Sequence, residues 1–393
     1  MSFLPRFALV LIASVWSVAA QAQDFETEAG AAYVFDQTTG TVLLEKNADD
    51  PLPPASMSKL MTIYMAFEAV ADGRLAIDQE VAVSAHAASF GGSTMFLDTT
   101  DRVSVEDLLR GVIVKSGNDA SVVLAEAIAG SEPAFARMMT ERGRQMGMTN
   151  STFVNASGWP AAGHRMSMRD LGLLADRLIT DFPTFYPLFA EETFDFDGRA
   201  PANSRNRNPI LSMGLGADGL KTGHTEEAGY GLVGSAKQGD RRIIFVITGL
   251  PSAEARAEES VRIINWAFRQ FAQREVAGAG TRLAEAEVWM GAAPNVGLTV
   301  AEDLMLLVPV LQSGEIAAEA QFTGPIEAPI AAGQQLGELV IQVDGLPETR
   351  VPLVAEADVA RGGFQSRLRT AALVALRKLG VTAALPDLTL DPA

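Results

Sequence analysis

The stretch "PPASMSKLMT", Pro53 to Thr62, sets a serine and a lysine three positions apart directly behind two prolines. The apolar run that follows, through Ala71 and up to Gly73, has the length and the Ala, Met and Leu content of a buried helix beginning at Ser56. On such a helix positions i and i+3 share a face, so the Ser56 hydroxyl and the Lys59 ammonium can meet. A serine hydroxyl is a weak nucleophile until a base takes its proton. A lysine becomes that base when its pKa falls, and the apolar neighbours Leu60, Met61 and Ile63 supply desolvation that lowers it. The same residues fit a plainer role, with Ser56 simply capping the helix. The stretch alone leaves both open.

Two distant stretches bear on the choice. "VIVKSGNDAS" carries Ser116-Gly117-Asn118 between an apolar run and a helix, and "DGLKTGHTEEAGY" carries Lys221-Thr222-Gly223 on an expected strand. Gly223 and the residues after it would let a substrate backbone approach an edge strand closely. Lys221 would add a second cation that lowers Lys59.

S-x-x-K, S-x-N and K-T-G in that order, the last continuing as "KTGHT", resemble the motif set of the low-molecular-mass penicillin-binding proteins, the serine D-alanyl-D-alanine carboxypeptidases of peptidase family S11. The resemblance extends over nearly the whole chain. It implies that Ser56 forms an acyl-enzyme with Lys59 as its base, that Ser116 relays a proton to the leaving amine, and that Asn118 holds the substrate peptide. It also implies that Lys221, Thr222 and Thr225 meet a terminal carboxylate, helped by Arg207 of "SRNRNP". The backbone N–H groups of Ser56 and His224 would form the oxyanion hole. The implied substrate is the peptidoglycan pentapeptide stem, with β-lactams as acylating inhibitors and no cofactor or metal. Carboxypeptidase action and endopeptidase action on cross-links stay open, because both cleave beside D-alanine.

Around these motifs the chain reads as a mixed α/β (α+β) protein. "AAYVFDQTTGTVLLEKN" forms two strands joined at Gly40, and helical patterns follow over 105–109, 120–129, 132–146 and 169–179. "DGLKTGHT", "GYGLVGSAK" and "RRIIFVITGL" are three strands, and a helix is expected over "AEARAEESVRIINWAFRQFAQRE". Strands at both ends with helices between predict one sheet of about five strands flanked by helices, a serine β-lactamase/DD-peptidase-like fold by resemblance. From about Thr281 short apolar runs alternate with Gly, Pro and Asp turns, which predicts a small β-rich C-terminal domain. The expected divisions are a leader over 1–22, a catalytic domain over 23–275, the β-rich domain over 276–360, an amphipathic helix over 361–380 and a tail over 381–393.

The leader has the order of a secretory signal: Arg6, an apolar run over 7–18, then small residues ending Ala20-Gln21-Ala22. Export to the periplasm is the expectation. Without cysteine the chain has neither thiol catalysis nor disulfides, and His86, His164 and His224 are too scattered for a zinc motif. A net charge of −17 argues against nucleic acid as a partner. The end of the chain differs. No acidic residue lies between Val359 and Leu385, whereas Arg361, Arg367, Arg369, Arg377 and Lys378 are basic. At helical spacing Phe364, Leu368, Ala371, Ala372, Ala375 and Leu379 share a face, although Leu373 falls off it. This reads as a helix attached peripherally to the anionic inner membrane; a terminal helix packed on its own domain is the alternative.

Other serine chemistries fit less well. A class A β-lactamase adds a glutamate for deacylation, and neither Glu-x-x-x-Asn nor Glu-x-x-Asn occurs between Asn118 and Lys221. A Ser-His-Asp hydrolase often shows G-x-S-x-G, which is absent. A catalytically idle wall-binding protein would have no need of all three polar elements.

Overall fold

A computed structural model describes residues 25–364 except Ala200 and residues 312–315. The expected leader over 1–22, and the expected membrane helix and tail beyond residue 364, lie outside the described residues.

The first unit runs β1 (Ala31–Asp36), β2 (Val42–Lys46), α1 (Lys59–Ala71), β3 (Glu80–Ala82), α2 (Ala85–Ala88), β4 (Arg102–Ser104), α3 (Val105–Ile113), α4 (Asn118–Ala129), α5 (Glu132–Gln145) and α6 (Met168–Asp181). It continues with β5 (Ala217–Thr225), β6 (Gly229–Gln238), β7 (Arg241–Leu250) and α7 (Ala253–Gln270). The second unit comprises β8 (Phe271–Ala277), β9 (Arg282–Trp289), β10 (Asn295–Thr299), β11 (Leu304–Pro309), β12 (Ala317–Phe322), β13 (Ile326–Glu327), β14 (Gln335–Gln342) and β15 (Thr349–Ala355).

Strands from both ends of the first unit make one antiparallel sheet of five, in the order β2-β1-β7-β6-β5. The apolar run of β7 has a reason in this placement. Ile244 and Val246 enter the core shared with α1, α3, α4, α5 and α6, while Ile243, Phe245 and Ile247 enter the core beneath α7. A strand buried on both faces has no polar side to show, so alternation disappears from its sequence. β5, by contrast, pairs only with β6 and ends the sheet. Serine side chains start the covering helices: Ser104, Ser167 and Ser252 each accept a backbone N–H from the first turn of α3, α6 and α7.

Two expected boundaries move. Residues Ala55–Ser58 form a 3-10 turn, and α1 begins at Lys59 rather than at Ser56. Neither turn carries a side-chain cap, so Ser56 does not cap the helix. The helix expected to reach Glu275 stops at Gln270, and Phe271–Ala277 is a strand paired with β11. Phe271 there joins a separate core with Ala286, Leu298, Leu306 and Leu353. Pairing with a distant strand overrides the local helix preference of Gln273-Arg274-Glu275.

The second unit is β-rich throughout: a six-stranded sheet, β12-β14-β15-β10-β9-β13, and the β8–β11 pair. Trp266 and Leu43 of the first unit pack against its core. Buried Arg241 adds a polar tie, bonding both the Asp36 carboxylate and the Phe271 carbonyl oxygen.

Candidate active site

The turn that carries Ser56 is forced into shape from both sides. Ala55 takes a left-handed φ of 49°, and the β5 strand lies hard against it. A Cβ at Gly223 would stand 2.9 Å from Met57 Cγ and 3.0 Å from the Pro54 carbonyl oxygen. The missing side chain at 223 therefore lets β5 pack on the turn that carries Ser56.

Lys59 is wholly buried one helical turn on from Ser56. Its Nζ lies 2.9 Å from Ser56 Oγ and 2.8 Å from Asn118 Oδ1, and it bonds the Ser157 carbonyl oxygen as well. The last two partners can only accept. A neutral amine has two N–H donors, so both are used and its lone pair is left for the Ser56 hydroxyl. The neutral form is accessible: burial first, and the Arg207 guanidinium second, lower the Lys59 pKa to about 7.

Ser116, Asn118 and Lys221 converge on the same point from elements far apart in sequence. Ser116 sits in the left-handed region at φ 59°, and its buried Oγ accepts from Lys221 Nζ at 2.9 Å. Lys221 also donates to the Thr222 carbonyl oxygen at 3.1 Å. Burial, then the charges of Lys59 and Arg207, push Lys221 well below the usual lysine range. Like charges act on each other in both directions, so Lys59 and Lys221 disfavour each other's ammonium form, and Arg207 disfavours both. Asn118, at the start of α4, donates from Nδ2 to the Gly91 carbonyl oxygen at 2.8 Å.

Toward solvent, Arg207 bonds Ser93 Oγ, the Lys115 carbonyl oxygen and Asn203 Oδ1, all neutral groups. Thr222 is buried, His224 is exposed and Thr225 half-buried along β5. The His224 ring stacks on Tyr230 at 3.7 Å, and its Nδ1 lies 3.2 Å from the Gly229 carbonyl oxygen, which fixes the proton on Nδ1. Thr225 Oγ1 accepts from the Ala228 N–H at 3.1 Å and so shapes the turn into β6. Ser56, Lys59 and Asn118 are thus joined by hydrogen bonds, as are Ser116 and Lys221, while Thr222, Gly223, His224 and Thr225 follow Lys221 along β5.

Several supporting residues escaped the sequence reading. Asn155 Oδ1 accepts from the backbone N–H groups of Ser157, Gly158 and Trp159, shaping the loop whose carbonyl holds Lys59. Glu132 bonds the Ala156 N–H of that loop, and Thr62 bonds the Ala156 carbonyl oxygen. Asp119 is buried and accepts from the N–H groups of Met95, Leu97 and Ala120, ordering the loop that Asn118 grips. His164 props the 155–159 loop from below: its buried Nδ1 accepts from the Val154 N–H, and burial, aided by Lys59 and Arg165, lowers its pKa to about 4. Only the Asn, Ser and Gly content of "FVNASGWP" hinted at a structured turn here.

The fold and cleft are those of a serine peptidase in which a buried lysine lies beside the serine. A family profile described as D-alanyl-D-alanine carboxypeptidase matches residues 17–252, and one described as penicillin-binding protein 5, C-terminal domain, matches 271–361. The chain belongs to the D-alanyl-D-alanine carboxypeptidase family. It is 36% identical over 376 residues to D-alanyl-D-alanine carboxypeptidase DacC of Escherichia coli K12, covering 93% of this chain and 92% of that one. The crystal structure of penicillin binding protein 5 from Haemophilus influenzae superposes with a TM-score of 0.76 at 33% identity, covering 86% of this chain and 98% of the other. Penicillin-binding protein D2 from Listeria monocytogenes in its ampicillin-bound form gives 0.57 at 32% identity, over 62% of this chain and 99% of that one.

Proposed function

We propose that this protein removes the terminal D-alanine from peptidoglycan pentapeptides through a Ser56 acyl-enzyme, and that penicillins acylate the same serine. The observation that carries the reading is the set of contacts at Lys59 Nζ, whose two fixed acceptors leave its lone pair for Ser56. In acylation the Ser56 proton passes to Lys59 as Oγ bonds the scissile carbonyl carbon. The N–H groups of Ser56 and His224 hold the oxyanion. The proton taken up by Lys59 is relayed through Ser116, bonded to Lys221, to the departing D-alanine nitrogen as the C–N bond breaks, which restores the neutral Lys59 amine. Water then cleaves the ester, with Lys59 again accepting a proton, and frees Ser56. Asn118 holds the peptide, while Lys221, Thr222, Thr225 and Arg207 bind its terminal carboxylate; the neutral partners of Arg207 leave its charge for that anion.

The protein acts outside the cytoplasm in this reading, exported by its leader and held at the inner membrane surface by the basic segment after residue 360. Among the described residues no helix is long and apolar enough to cross a membrane. The deciding experiment pairs fluorescent penicillin with muropeptide mass spectrometry. Wild type should be labelled and should release D-alanine, and Ser56→Ala should do neither. Label retained by Ser56→Ala would remove Ser56 from the mechanism, and cross-link cleavage without D-alanine release would make the enzyme an endopeptidase.

A further inference from the structure

The exposed ring of His224 is the outer member of a stack rooted in the core. The β5–β6 register sets Tyr230 directly across from His224, and the two ring centroids lie 3.7 Å apart with 13° between the planes. Tyr230 is half-buried and packs against the core beneath α7. The guanidinium of buried Arg256, on α7, stands 5.8 Å from the Tyr230 ring centroid, and its Nη2 donates to the Arg207 carbonyl oxygen at 3.3 Å. The His224 imidazole thus reaches two anchors on the neighbouring strand, the Tyr230 ring and the Gly229 carbonyl oxygen.

The place in the fold explains why such anchoring matters. β5 is an edge strand paired only with β6, and His224 is one residue from its end at Thr225. Strand ends open more readily than strand centres. In the proposed acylation the His224 N–H meets an oxygen whose charge appears in the transition state, and such a donor works only if it is placed beforehand. A flat aromatic pair across the ladder resists the twist and slip that would turn this N–H away.

We infer that Tyr230 is a positioning residue for the oxyanion hole, holding the β5 backbone at His224 through the ring stack. The inference rests on the acyl-transfer reading above and deepens it, because it assigns a role to a residue outside the three motifs. A cross-strand pair that served the fold alone would change the Tm and leave the rate of acyl transfer where it was.

The test follows acylation of Ser56 by penicillin over a range of penicillin concentrations. Tyr230→Leu should lower the maximal rate about tenfold, the scale set by one aromatic pair. The half-saturating concentration should stay within about twofold, because the oxyanion exists in the transition state and not in the bound ground state. Tyr230→Phe keeps the ring and should keep the rate. His224→Ala, at an exposed position, removes the same stack from the other side and should show the same loss with the Tm retained. Combining it with Tyr230→Leu should slow acylation no further than the slower single variant, since both changes remove one shared contact. Acylation of Tyr230→Leu at the wild-type rate, a Tyr230→Phe variant as slow as Tyr230→Leu, or single effects that multiply in the double variant would each overturn the assignment while the acyl-transfer reading stands. Wild type left unlabelled at Ser56 would overturn both together.

Discussion

In the proposed acylation Lys59 has to be uncharged at the moment Ser56 gives up its proton, and its surroundings decide when that holds. With its pKa lowered to about 7, the ammonium form dominates below that pH and the free amine above it. The second-order rate of acylation by penicillin should therefore climb about tenfold per pH unit on the acid side, bend near 7 and level off in mild alkali. A flat profile from mildly acidic to alkaline pH, with acylation rate-limiting, would count against Lys59 as the base. Arg207 sharpens the test. Its guanidinium is one of the causes that disfavour the ammonium form, so Arg207→Ala should move the bend to higher pH. The same variant should raise KM for the peptide through the lost carboxylate contact. A KM effect with an unmoved bend would mean that Arg207 binds substrate without tuning the base.

At the scale of elements, the cleft depends on turns that touch rather than on the sheet alone. Gly158 shows how tightly. It has a φ of 75°, and a Cβ there would lie 1.9 Å from the Ala55 carbonyl oxygen and 2.6 Å from Ser58 Oγ. Gly130, at the end of α4, has the same φ of 75° but no atom within 4 Å of such a Cβ. Gly130→Ala should cost about 1 kcal/mol from backbone strain and leave penicillin acylation intact. Gly158→Ala adds the collision, so it should lower the Tm further and abolish labelling of Ser56, as differential scanning and fluorescent penicillin would register together. Equal effects of the two would show that the loop and the Ser56 turn give way to each other. This level is also where the sequence was hardest to read. The meetings of Ser56 with Lys59 and of Ser116 with Lys221 were legible because the proposed chemistry requires particular residue types at short, fixed spacings. The strands were legible through their apolar runs. Asn155, Glu132, Thr62 and Asp119 were not, since each acts by bonding a backbone group in a loop that only the fold brings near. The end of α7 was lost for a related reason: whether Phe271 continues a helix or opens a strand is decided by β11, which lies far along the chain.

For the whole molecule the question is where the catalytic cleft stands relative to the wall. The chain carries a net charge of −17, yet its segment from Val359 to Leu385 holds five basic residues and no acidic one. An acidic protein is repelled as a whole by an anionic surface, so a basic terminal segment is the part that can approach it. Each Lys or Arg near such a surface contributes roughly 1 kcal/mol, and apolar side chains on the facing side of a helix add to that. The described second unit fits a spacer between this segment and the catalytic cleft. Its own end is secured before the segment begins: Arg361 Nε bonds the Ala328 carbonyl oxygen and the Gly362 N–H bonds that of Met290. Truncation after Gly363 keeps those ties, so it should move the protein from the membrane fraction to the soluble one while penicillin labelling stays stoichiometric. Replacing Arg367, Arg369, Arg377 and Lys378 with glutamate in the full chain should reproduce the release without shortening it, and high salt should weaken wild-type attachment in the same direction. Unchanged membrane fractionation after both changes would assign attachment to another surface and leave the basic segment as a helix packed on its own domain.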